Sequence, residues 1–74
     1  MNTERLFNIV IGELSIDKLK IESELENAIN STSDDIDTQV KKIKEALVKL
    51  SQVEDSIAKF SNLINNNNNI QKEN

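Results

Sequence analysis

Residues 28–36 read AINSTSDDI, and they stand between two apolar stripes that mirror one another. Upstream, Phe7, Leu14, Ile21 and Ala28 recur every seven residues; downstream, Ile36, Ile43, Leu50 and Ile57 do the same. A seven-residue apolar repeat is the seam of a coiled coil. Asn30, Ser31, Thr32 and Ser33 interrupt the pattern, and none of them favours a helix interior, because their side chains compete for backbone hydrogen bonds. A break this short joins antiparallel neighbours. Paired outward from Thr32, the stripe positions always sum to 64: 28 with 36, 21 with 43, 14 with 50 and 7 with 57. The expectation is an all-α fold, an antiparallel two-helix hairpin, coiled-coil-like, completed into a helical bundle by self-association. One unbroken helix through 30–34 is the rival, since no glycine enforces the turn.

The first helix is expected over about residues 3–30, on the order of 40 Å at about 1.5 Å per residue. Asn2 or Thr3 would cap it, with Glu4 in the first turn, where the helix dipole favours an acid. Its seam comprises Phe7, Leu14, Ile21, Leu25 and Ala28, with Val10 and Ile11 on the same face; Asp17, Lys18 and Glu24 flank or interrupt it. The turn is expected at 30–33 and the second helix over about 34–64, capped by Ser33 or Asp34. Ile36, Val40, Ile43, Leu47 and Leu50 begin its seam, and Val53, Ile57, Phe60 and Ile64 continue it. Two successive steps of three meet at Leu50, a stammer that would locally overwind a coiled coil. Residues 1–64 thus form the hairpin domain. Residues 65–74 open on five asparagines, poor helix formers with nothing to bury, and are expected to be a disordered tail.

Composition narrows the function by exclusion. The chain has 74 residues, no cysteine, no histidine and no proline, and only Phe7 and Phe60 are aromatic. Disulfides and thiolate metal sites are therefore impossible, and the commonest transition-metal ligand and general base is missing. The acids at Asp34, Asp35 and Asp37 suit a helix start and lack the glycine turn of a calcium loop. No catalytic residue, metal ligand or cofactor is expected, and the chain reads as a non-enzyme. A formal charge of −4 with alternating signs argues against nucleic acid as a partner. Lys41, Lys42, Lys44 and Lys49 fit a solvated face instead, with Lys41 to Glu45 and Glu45 to Lys49 four apart and Glu22 near Lys42 in the mirrored register. Neither a signal peptide nor a spanning segment is legible, so no membrane partner and a cytoplasmic or other intracellular location are expected.

One feature points outward. Ile9, Gly12, Ile16 and Leu19 step by three, four and three on the side of the first helix away from its seam. A helix apolar on two faces belongs inside something larger. Gly12 costs roughly 1 kcal/mol against alanine, which close approach of another backbone would offset. These four residues are the candidate oligomer or partner interface. Chains this short are marginal alone and are commonly completed by oligomerisation. The expected function is a self-associating scaffold or assembly factor, of the sort met among small phage structural or accessory proteins. The alternatives are an inhibitor or adaptor that sets an apolar helix face on a different, host protein, and a binder of small anions between subunits through Lys41, Lys42 or Arg5.

Overall fold

The computed structural model describes residues 3–73, with side chains described to Asn66. Two helices account for nearly all of it: α1, Thr3–Ile29, of 27 residues, and α2, Ile36–Glu73, of 38. They lie antiparallel against one another, so the chain is an all-α helical hairpin and not one unbroken rod. The molecule measures 59 × 18 × 14 Å. Its radius of gyration is 17.2 Å, against about 11 Å for a globular domain of this length.

The register differs from the mirrored one. The rings of Phe7 and Phe60 meet edge to face, with centroids 5.5 Å apart and planes at 89°. At the other end the Gln39 side-chain amide reaches the Ala28 carbonyl at 3.0 Å. Both pairs sum to 67, not 64. The reason lies in the turn, which uses residues 30–35 where 30–33 were expected. Asp35, not Ser33 or Asp34, caps α2: its carboxylate accepts from the Thr38 backbone N–H at 2.9 Å, and its carbonyl accepts the first helical bond, from the Gln39 N–H, at 2.9 Å. Asp34 instead ties the turn together, accepting from the Ser31 hydroxyl at 3.1 Å and from Lys42 at 2.9 Å.

The shift changes which residues of α2 face α1. Gln39, Ile43, Ala46, Leu50, Val53, Ile57, Phe60 and Ile64 are buried or partly buried, and their spacing alternates four and three without a fault. The stammer at Leu50 is therefore absent; it belonged to a seam that used Val40 and Leu47 in place of Gln39 and Ala46. Those two, with Ile36, are corrections to the expected seam: Ile36 is 76% exposed, Val40 45% and Leu47 49%. Three residues along a helix is nearly a full turn but falls about 60° short, enough to swing these side chains off the contact line. Ile36 has a further reason, since α1 ends at Ile29 and nothing helical stands opposite it. The remaining seam residues, Phe7, Leu14, Ile21, Leu25 and Ala28 with Ile43, Leu50, Val53, Ile57 and Phe60, are buried or partly buried. On α1 they are joined by Ile11 and by Lys18, which occupies a seam position and pairs with Glu54 at 3.5 Å.

Among the described residues, only Ala28, Ala46 and Val53 are fully in the core, and no large side chain is completely enclosed. Two helices have one line of contact, so each seam residue keeps an open flank.

At the ends the structure also departs from expectation. Thr3 is already helical, and the other expected cap, Asn2, lies outside the described residues. The α2 backbone passes the expected stop near Ile64 and stays helical to Glu73. Propagating an existing helix is far cheaper than nucleating one, and neither glycine nor proline intervenes. In the observed register Ile64 stands level with Thr3, so α2 beyond it overhangs the described part of α1. The tail expected to be disordered is thus helical in its backbone over residues 65–73; the side chains from Asn67 onward, and Asn74 altogether, lie outside the described residues.

Candidate interaction surface

A helix advances about 100° per residue, so flanks can be read from seam positions. Residues one and five after Phe7, Leu14 and Ile21 fall on one flank of α1; residues three and six after fall on the other. The same holds on α2 after Gln39, Ala46 and Val53. Because the helices are antiparallel, matching flanks open onto the same side of the hairpin. Two ion pairs confirm the assignment. Glu24 on α1 and Lys49 on α2, both three after a seam position, meet at 3.5 Å on one side. Glu54, one after a seam position, reaches Lys18 at 3.5 Å on the other.

The two broad sides differ in chemistry. The Glu24–Lys49 side carries Asp17, Lys20, Lys42, Glu45, Gln52 and Lys59. Two shallow clefts lie here. One, near the turn, is lined by Glu24, Ala28, Asp34, Lys42 and Lys49; the other, further along, by Asp17, Lys20, Ile21, Gln52 and Val53. Lys42 was expected beside Glu22 and pairs instead with Asp34 at 2.9 Å, while Lys49 reaches across to Glu24 rather than along its own helix. The register shift is again the cause. Both lysines of this cleft are thus engaged by carboxylates, and any anion would compete with them. Among the described residues, no group of three or more acids is placed to hold a metal ion.

The Lys18–Glu54 side is poorer in charge. Gly12, Leu19 and Ile29 lie on it from α1, and Val40, Leu47 and Ala58 from α2, all exposed. Of the expected interface residues, Gly12 and Leu19 therefore belong to this side, while Ile9 and Ile16 sit on the outward back of α1 next to it. Leu19 is 64% exposed, Ile16 53% and Ile9 43%. A Cβ built on Gly12 would meet open space, and its backbone is ordinary helix. Nothing within the hairpin therefore requires glycine there. Of the residues on this side, the sequence pattern singles out Gly12 and Leu19; it does not single out Ile29, and it assigns Val40 and Leu47 to the seam.

Electrostatically the turn is the most defined spot. The hydrogen bonds from Lys42 and then Ser31 hold the Asp34 carboxyl below the ordinary carboxylate value of 3.8, and those from the Thr38 side chain and backbone do the same for Asp35. Both act on structure: one clamps the loop, the other caps α2.

No family model matches this chain, and neither a curated protein nor a solved structure does. No described helix is long and apolar enough to cross a membrane.

Proposed function

We propose that the chain is a non-enzymatic helical interaction module that associates with itself and serves as a scaffold or assembly factor. The observation that carries this reading is the exposed stripe on α1: Ile9, Ile16 and Leu19 are 43–64% exposed on one helix that already has a covered seam. Scattered apolar side chains on a surface need no explanation, but a periodic row beside a glycine does. The thinness of the core supports the same reading, since three buried side chains among the described residues are little for a chain to stand on alone. The mechanism is presentation of a stiff helical surface whose geometry the hairpin seam fixes. Light scattering at micromolar concentration should give a discrete oligomer, and Leu19→Glu should shift it toward 8.4 kDa while helical circular dichroism persists. A wild-type chain that scatters as 8.4 kDa at every concentration would sink the reading.

A further inference from the structure

The two broad sides of the hairpin are unequal, and the apolar one is built by both helices. Gly12, Leu19 and Ile29 face the same way as Val40, Leu47 and Ala58. We infer that the hairpin meets a second copy of this chain across this composite side, face to face, and closes a four-helix bundle that leaves the charged side outward. The inference rests on the self-association proposed above and adds the surface and the number of copies.

Area argues for a partner of this size. The hairpin exposes 5894 Å². A compact monomer of 8.4 kDa exposes about 4,600 Å², leaving an excess of about 1,300 Å². The excess reflects the elongated shape of the hairpin, the overhang of α2 included. A stable pair needs about 800 Å² from each partner, which lies within this excess.

Charge argues for a copy rather than a different molecule. The apolar strip is bordered by both signs, Glu22, Glu26 and Glu54 against Arg5, Lys18 and Lys44. A surface that meets itself needs both, whereas a strongly charged partner would call for one. The middle of the strip is also low. Gly12, Ser15, Ser51 and Ala58 are small, and larger apolar side chains stand toward the turn, so a second helix pair can approach closely.

The test uses the full chain, which has no cysteine of its own. Single variants Ser51→Cys, on the apolar side, and Ser56→Cys, on the charged side, are alkylated at nanomolar and at micromolar concentration, with mass followed in parallel. The expected mass at the higher concentration is twice 8.4 kDa. The Ser51→Cys thiol should then react at least about tenfold more slowly, and the Ser56→Cys thiol at an unchanged rate. Leu47→Glu should return the mass to 8.4 kDa with helicity kept; should that variant unfold, the alkylation rates still decide. A dimer that protects Ser56→Cys and not Ser51→Cys overturns the surface and leaves self-association standing. An assembly larger than two copies overturns the closed pair. A monomer throughout removes both this inference and the function on which it rests.

Discussion

The side-chain amide of Gln39 lies 3.0 Å from the carbonyl oxygen of Ala28, so the second helix closes the end of the first. It also donates to the Ile29 carbonyl at 2.9 Å. The last carbonyls of a helix have no partner within it, and α1 has neither a glycine after it nor a basic residue in its last turn. Gln39 supplies what those devices would have supplied. Because it stands on α2, it couples the ending of α1 to the register. Gln39→Ala should destabilise the hairpin by about 1–2 kcal/mol, read as a lower melting temperature at fixed protein concentration. Unchanged melting would mean that the turn sets the register without Gln39.

Acid should weaken the turn. Asp34 and Asp35 have carboxyls held below the ordinary value of 3.8, so the folded state favours their charged forms. The stability they contribute is complete above that value and is lost as pH falls through the lowered ones. Melting temperature should therefore decline below about pH 4. The double variant Asp34→Asn, Asp35→Asn should show a shallower decline, since asparagine still caps a helix but does not titrate. An equal decline in both chains would place the acid-sensitive groups elsewhere.

The register itself can be tested with two isoleucines that the mirrored pattern treats alike. Ile36 is 76% exposed at the turn, whereas Ile43, seven residues on, is partly buried against α1. Ile36→Ala should change stability by no more than about 0.5 kcal/mol. Ile43→Ala should cost about 2 kcal/mol or more. Comparable losses at the two positions would restore the register that sums to 64.

Lys18 sits where a coiled coil would hold an apolar residue, and its bond to Glu54 is 3.5 Å long between side chains that remain 37% and 51% exposed. Such a pair contributes about 0–1 kcal/mol. Lys18→Leu should therefore raise the melting temperature, the added burial outweighing the lost pair, while Glu54→Ala alone should shift it little. The gain would carry a loss of register specificity, because a polar residue in a seam penalises slipped alignments. A fall in stability for Lys18→Leu would show the ion pair to be worth more than the burial.

The hairpin was legible because its two causes are local. Seven-residue spacing at Phe7, Leu14, Ile21 and Ala28 requires a covered face, and the run from Asn30 to Ser33 offers the backbone an alternative to helix. The register was less legible, since periodicity gives several alignments that differ by a few residues. Apolarity alone prefers Val40 and Leu47 to Gln39 and Ala46. Only the assembled turn adds what reverses the choice: two carbonyls at the end of α1 that need a donor, which Gln39 supplies. For the same reason the exposure of Val40 and Leu47 was not legible, since apolarity places both in a seam that the structure does not use.

The sequence by itself determined that this chain is two long helices with one common seam, because period and breakers act within a few residues of each other. Which residues meet across that seam, and hence which apolar side chains are left facing outward, was decided only in the tertiary structure. Six turn residues, the Asp35 cap and the reach of Gln39 act together across the two helices, and their combined geometry is not written in either helix alone.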